Sequence, residues 1–187
     1  LVHKDYIFLD AILRTIHEMD TVFHDMIMES LLIHVLNNNL VHGYVYLSNK
    51  TDTHTLFVKY PIFHYTKQII PHPAMHAISQ NHYELFNYFV EHEDITEVFI
   101  DLVNACIRRE YTHGVEKLIH YFFIRNTDIT LLVEARGTTI GMTLYEEVVM
   151  FSLMHRCVEL FDVLVVHTPN FINQYTYCME CVFSGKT

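Results

Sequence analysis

The stretch from residue 72 to residue 92, HPAMHAISQNHYELFNYFVEH, constrains the fold more than any other part of the chain. Pro73 can begin a helix, because the N–H that proline lacks is one that a first helical turn leaves unpaired. Asn81 and His82 then form a polar break. The apolar residues after the break have the spacing of a half-buried helix face, namely Leu85, Phe86, Phe89 and Val90. The stretch therefore predicts two short helices joined by a tight turn, a pair that cannot bury its apolar face without neighbours.

This order of residues resembles the ankyrin repeat, whose helices read T-P-L-H-x-A and A-x-x-G-H-x-E-[IV]-V-x-x-L-L. Pro73 and Ala77 match the proline and alanine of the first helix. His82 and Glu84 match the histidine and glutamate of the second helix. The departures are His72 for threonine, Ala74 for leucine, Met75 for histidine and Asn81 for the turn glycine. Asparagine is tolerated at the turn because it adopts positive φ more readily than most residues.

Related sequence recurs further along the chain. The segment ELFNYFVEH at 84–92 returns as ELFDVLVVH at 159–167, which is 75 residues later. Between them, residues 118–123 parallel residues 85–90 at an offset of 33, the ankyrin period. We therefore expect three related, divergent helix pairs.

The whole chain of 187 residues is expected to be one mostly α-helical domain of stacked helix-turn-helix repeats. Its expected parts are an N-terminal helical pair (1–40), an irregular insert (41–71), the ankyrin-like units (72–167) and a C-terminal cap (168–187). Within the insert, GYVYLSN and HTLFVKY alternate apolar and polar residues, which permits a short β-hairpin near 43–60. A long loop with extended segments explains the same alternation, so both interpretations stay open.

Local signals place further elements. Helices are expected over residues 5–18, 22–36, 62–69, 95–109, 115–123, 144–154 and 158–166. The run at 37–39, three asparagines, favours a turn with a left-handed residue. Residues 111–114 are expected to break the helix before them, because they end in a glycine.

The charge balance restricts the class of partner. The formal net charge is −10, with only 12 lysines and arginines. Nucleic acid and anionic membranes are therefore not expected as partners, since both attract basic surfaces. A protein partner with basic character is expected instead. The 15 histidines would reduce the net negative charge if many gained a proton in mildly acidic solution.

The best candidate binding surface is acidic. Residues 91–94 form an acidic turn after the second helix of the first ankyrin-like pair, where ankyrin proteins place a projecting loop. The candidate partner-binding residues are Glu91, Glu93, Asp94, Glu97 and Asp101. An ordinary solvated turn would have the same composition, so the pattern alone does not assign a site.

One alternative function depends on cysteine. Cys178 and Cys181 have the C-x-x-C spacing of a zinc or redox site, but no second ligand pair follows nearby in sequence. A further alternative is a helical bundle that dimerises and whose apparent repeat is a coincidence. The other two cysteines, Cys106 and Cys157, lie in apolar helical segments and suit free thiols in a reducing compartment, the cytoplasm or nucleus.

We expect a protein–protein interaction module that has no catalytic activity and no cofactor, because the sequence has no recognisable catalytic constellation. In its low glycine content and its Tyr, Phe and Ile usage, the chain is similar to the divergent ankyrin-like proteins that large DNA viruses use to engage host factors. That resemblance implies a host-interaction role.

Overall fold

The computed structural model describes residues 21–49, 72–125 and 130–168, together with residues 11, 14, 15, 171, 175, 176 and 180. Within these residues the chain is mostly helical, which confirms the expected fold class in its coarse form. Pairing of the β type in this part of the chain is limited to an isolated bridge between Arg136 and Thr143. The described residues contain no helix that is long and apolar enough to cross a membrane.

The chain divides into two compact units, residues 1–73 and residues 74–187. The division lies close to residue 72, where the sequence predicts the end of the irregular insert. The expectation of one helical-repeat domain over residues 1–187 stays a prediction, and so does the C-terminal cap.

The first unit contains α1 (Thr21–Asn37) and α2 (Val41–Ser48), which pack against each other. The second helix corrects the expectations for residues 43–49, which form neither a hairpin strand nor an extended loop. Tyr44 and Leu47 are both buried, and their spacing of three residues puts them on one helix face. The alternation of apolar residues was therefore misleading as a strand signal.

Residues 50–71 lie outside the described residues. They hold the remainder of the expected hairpin and the expected helix at 62–69. Those two expectations stay predictions, as does most of the helix expected at 5–18.

The second unit is a succession of short helices. The first of them begins at Pro73, the last residue of the first unit. In chain order they are α3 (Pro73–Ser79), α4 (Tyr83–His92), a 3-10 turn (Thr96–Val98), α5 (Phe99–Arg108), α6 (Thr112–Arg125), α7 (Thr130–Glu134), α8 (Leu144–Met154) and α9 (Val158–His167). The helices expected at 95–109, 115–123, 144–154 and 158–166 are confirmed to within a few residues at each end.

The same turn closes several of these helices. A residue with positive φ follows α1, α3, α5 and α8, namely Asn39 (56°), Asn81 (60°), Glu110 (54°) and Arg156 (55°). The next residue in each case donates its N–H to a carbonyl five residues earlier, for example His82 to Ala77 at 2.8 Å and Cys157 to Ser152 at 2.8 Å. This hydrogen bond is the Schellman closure of a helix C-terminus, and a new helix begins immediately after it.

The turn geometry corrects two sequence-based expectations. Of the residues 111–114 that were expected to break the helix, only Tyr111 lies in the break, because α6 already begins at Thr112 and the left-handed residue is Glu110. Aligned on the turns, Leu118 corresponds to Phe89, so the predicted offset of 33 residues between these helices is one helical turn too long. The match between 84–92 and 159–167 is confirmed as an equivalence of position, because both segments directly follow such a turn.

Within the second unit the helices pack in two rows. One row places α6 between α4 and α9, and the other places α5 beside α8. The rows are joined because α5 packs on α6 and α8 packs on α9. The core between them consists of apolar side chains from each helix, including Leu85, Phe86, Phe89, Leu102, Leu118, Phe122, Val148 and Leu160.

Candidate functional site

A groove of about 380 Å³ runs between α4 and α6 on the surface of the second unit. Val90 and Ile124 are its aliphatic lining residues. Its polar lining comes from Glu91, Glu116, Lys117, His120, Tyr121 and Arg125. The groove therefore combines apolar surface with charges of both signs, a composition that suits an amphipathic protein segment.

An ion pair joins the two sides of the groove. Lys117 on α6 donates a hydrogen bond to the Glu91 carboxylate on α4. The hydrogen bond from Lys117 is the main reason that the pKa of Glu91 is lowered. The Glu91 side chain is 53% exposed, so solvent screens this pair and its contribution to stability is small.

Asp94 is held by hydrogen bonds at the end of the groove. Its Oδ1 accepts from the Thr96 backbone N–H at 3.0 Å, from the Thr96 hydroxyl at 2.6 Å and from the Tyr121 hydroxyl at 3.4 Å. The hydrogen bonds from Thr96 are the main cause of its lowered pKa. Arg125 lies over the Tyr121 ring, with its guanidinium carbon 3.8 Å from the ring centroid, in the geometry of a cation–π contact.

The five acidic residues that were predicted to bind a partner lie in different elements and differ in exposure. Glu91 lies in the last turn of α4, and Asp94 organises the 3-10 turn after it. Glu93 is half-buried at the C-terminus of α4, while Glu97 and Asp101 are exposed in the 3-10 turn and the first turn of α5. The structure thus places Glu91 and Asp94 beside the cations of α6. Whether any of the five binds a partner stays a prediction.

Sequence reasoning missed the contribution of α6 to this region. Lys117, Tyr121 and Arg125 recur every four residues, so they lie along one face of the helix and meet α4 together. That spacing was visible in the sequence. Its pairing with the acidic turn depends on α4 and α6 lying side by side, which local patterns do not reveal.

A second glutamate that lines the groove, Glu116, lies near α9, the other helix that packs against α6. The carboxyl group of Glu116 on α6 lies near that of Glu159, which is in the first turn of α9. The pKa of Glu116 is raised, first by burial and then by the neighbouring carboxyl group of Glu159. His113 Nδ1 lies 3.9 Å from Glu116 Oε2 and acts in the opposite direction, as does His120.

The loop before α8 is built around a buried carboxylate. Glu147, with 6% of its surface exposed, accepts hydrogen bonds from the backbone N–H and hydroxyl groups of both Thr138 and Thr139. Thr143 caps α8 in a capping box with Glu146. These contacts hold the loop in one conformation, and the fully exposed side chain of Ile140 lies at its tip.

The cysteines in the described residues do not form a reactive site. Burial raises the pKa of Cys106 to about 12, so its thiol stays protonated near neutral pH. The pKa of Cys157 is raised by burial and by the charge of Glu116. The described part of the chain has no group of three His, Cys, Asp or Glu side chains suited to hold a metal ion. Cys178 and Cys181 lie outside it, so the zinc and redox alternatives stay predictions.

Comparison with known proteins adds no relative from which a function could be transferred. The chain matches no family model, no curated protein and no solved structure.

Proposed function

We propose that this chain is a helical repeat protein of divergent ankyrin type that acts as a protein–protein interaction module without catalysis. The main support is the Schellman turn that recurs after α1, α3, α5 and α8, with a new helix beginning directly after each turn. Within the second unit, the pair α5–α6 lies beside α4 on one side and beside the pair α8–α9 on the other. Arrays of this kind offer an extended surface for partners.

Several residues that carry the resemblance have matching structural roles. Pro73 is the first residue of α3, Ala77 is fully buried, and Asn81 occupies the left-handed position of the turn. Thr143 lies directly before α8 and caps it, as the threonine of the T-P-L-H motif would. The left-handed residues at 39, 81, 110 and 156 are unevenly spaced, which departs from a regular 33-residue period.

The groove between α4 and α6, together with the acidic residues after α4, is the partner surface that we favour. Glu97 and Asp101 are exposed, and Glu93 and Asp94 add negative charge at the same end of α4. Apolar surface in the groove would bind an apolar side chain of the partner. The partner class is therefore a protein segment with basic and apolar residues, met in the cytoplasm or nucleus, and a viral host-factor role is one version of this proposal.

The test reverses the two exposed acidic charges in the full chain. Proteins captured from cell lysate by the wild type are purified, and their pairwise affinities are measured for Glu97→Lys/Asp101→Lys. The matched control is Glu110→Lys/Glu134→Lys, which makes the same change of net charge at two other exposed positions. We expect the first variant alone to lose affinity, by about tenfold at low salt and less at high salt.

Equal affinity for both variants would contradict the acidic surface, and an absence of any specific partner would contradict the module itself. Thermal unfolding of both variants should match the wild type, because neither side chain pair is buried. A metal assay distinguishes the alternative class: one bound zinc per chain that is lost in Cys178→Ser/Cys181→Ser would favour the zinc protein.

A further inference from the structure

The loop between α7 and α8 folds back on itself as a tight turn. The Gly137 N–H donates to the Met142 carbonyl at 3.1 Å, and the Met142 N–H donates to the Thr139 carbonyl at 3.2 Å. Gly141 is the third residue of this turn and has a φ of 87°, the positive value that a type II turn requires. Ile140 is the second residue of the turn and therefore lies at the tip of the loop.

The tip of this loop is apolar, and the fold of its own chain makes no use of it. The side chain of Ile140 is 101% exposed, so it packs against nothing. One exposed isoleucine is ordinary on a protein surface. Here, however, the buried carboxylate of Glu147 holds the loop in one conformation by accepting hydrogen bonds from Thr138 and Thr139. An ordered loop loses little conformational entropy on binding, so Ile140 is a preorganised anchor for an apolar pocket.

A groove that can receive this anchor lies in the same unit, between α4 and α6. Its volume of about 380 Å³ is larger than an isoleucine side chain. Ile124 lines the groove and is 83% exposed, which makes Ile140 and Ile124 the two most exposed large apolar side chains of the described residues. The loop does not fill the groove of its own chain, because Ile140 is fully exposed. A second copy can fill it, since each copy carries both the anchor and the groove.

The charges of the loop and of the groove end are complementary. Arg136 is the only charged residue between positions 135 and 143, so the loop is basic, and its side chain is exposed. Tyr121, which lines the groove, donates a hydrogen bond to Asp94, and the exposed Glu97 follows in the adjacent 3-10 turn. The loop is therefore a segment with a basic and an apolar residue, which is the class of partner proposed above for this groove.

We propose that this chain associates with a second copy of itself, with the loop 135–143 of one copy bound in the groove between α4 and α6 of the other. In this contact Ile140 packs against Ile124 of the second copy, which removes both side chains from water. Arg136 faces the acidic residues beside the groove. The inference rests on the proposed function, because it names a partner for the same groove. The net charge of −10 makes two copies repel each other, so association requires a high protein concentration.

The experiment uses the full chain, and the protein itself is the probe. Sedimentation equilibrium over roughly 10 μM to 1 mM measures self-association. The loop variant is Ile140→Ser, and the groove variant is Ile124→Ser. Val166→Ser is the matched control, because Val166 is 78% exposed and belongs to neither the loop nor the groove. All three side chains are exposed, so circular dichroism should show an unchanged fold in each variant.

We expect the wild type and the control to associate equally, and the loop and groove variants to associate about tenfold more weakly. An equimolar mixture of the loop and groove variants should recover the association, because the groove of Ile140→Ser and the loop of Ile124→Ser are both intact. The mixture should form pairs and nothing larger. A wild type that stays monomeric, an Ile140→Ser variant that associates like the wild type, or a mixture that shows no recovery would overturn the inference.

These outcomes are distinct from those that test the proposed function. If the wild type stays monomeric while a lysate partner depends on Glu97 and Asp101, the self-association is wrong and the proposed function stands. If the loop and groove variants alone lose association and the mixture recovers it, the self-association is supported, even where no other protein binds the chain.

Discussion

The ring of Tyr111 stacks on the ring of Tyr83, with centroids 4.1 Å apart and planes inclined by 24°. Tyr111 lies in the turn between α5 and α6, and Tyr83 lies directly after the turn between α3 and α4. The Tyr111 hydroxyl also donates to Asn87 Oδ1 at 3.1 Å. Successive turns are thus in direct contact, which couples one helix pair to the next along this edge of the second unit.

Arg109 makes a second link between the same two turns, and its loss should be measurable. Its guanidinium donates to Asn81 Oδ1 at 2.5 Å and to the Ser79 carbonyl at 2.7 Å. We expect Arg109→Ala to cost about 1 kcal/mol in urea unfolding, because the hydrogen bonds are charge-assisted but exposed. Arg109→Lys keeps the charge and should recover only part of the loss; full recovery would show that charge alone matters.

Gly114 should resist substitution even though it lies within a helix. An added Cβ would lie 2.3 Å from Tyr111 Cδ1 and 2.9 Å from Cys106 Sγ. Gly→Ala normally stabilises a helix by about 1 kcal/mol, but here the crowding should destabilise the fold by about 1–3 kcal/mol. The free energy of unfolding is measured in urea. When Gly114→Ala is introduced into a Tyr111→Ala variant, it should cost less stability than it costs in the wild type. A stabilised Gly114→Ala variant would contradict the close packing of this turn.

Glu147 should control the order of the loop before α8. In Glu147→Gln, one carboxylate oxygen is replaced by an NH₂ group, which cannot accept the hydrogen bonds that Thr138 and Thr139 donate. We therefore expect the free energy of unfolding to fall by about 1.5–3 kcal/mol. Hydrogen exchange at the backbone amides of these two threonines should become faster. Glu134→Gln, an exposed change at the end of α7, is the control. Unaltered exchange in Glu147→Gln would show that the carboxylate does not hold the loop.

Cys106 should be protected from alkylation in the folded chain. Its thiol is buried and its pKa is raised to about 12, so little thiolate exists at mildly alkaline pH. Iodoacetamide labelling followed by peptide mass spectrometry should modify Cys157, which is half-buried, before Cys106. Rapid labelling of Cys106 without denaturant would contradict the packing of α5 against α6.

Truncation distinguishes a repeat array from a single-core bundle. A chain that ends after Asn126 retains α3 to α6 with the Tyr83–Tyr111 and Asn81–Arg109 contacts between them. Because repeats contact mainly their neighbours, we expect this chain to keep helical circular dichroism and a cooperative, less stable transition. Complete loss of helix would favour the bundle. Adding the deleted segment as a separate peptide is not expected to restore the circular dichroism of the full chain. In the full chain, the covalent connection holds neighbouring pairs at a high effective concentration.

Only part of the candidate site could be predicted from the sequence. The acidic residues at 91–101 were visible as a local cluster, and Asp94 and Glu97 lie outside regular helices of the α type. The ion pair of Glu91 with Lys117 spans 26 residues, and the Tyr121 contact with Asp94 spans 27. Contacts at such separations depend on which helices become neighbours, so no local pattern indicated that two of the five carboxylates are already engaged within the fold.

The sequence by itself determined the helix pairs at 72–92 and 144–167, because their signals act within a few residues. Proline at a helix start, asparagine at positive φ and apolar side chains at helical spacing each lower the local free energy of one conformation. Tertiary structure alone decided that residues 43–48 are helical. The apolar pattern of GYVYLSN also fits a strand, and the helix is favoured over the strand because it buries Tyr44 and Leu47 on one face. Tertiary structure likewise decided that Lys117 meets Glu91, because the energy of an ion pair depends on distance in space and on burial, and the sequence encodes neither directly.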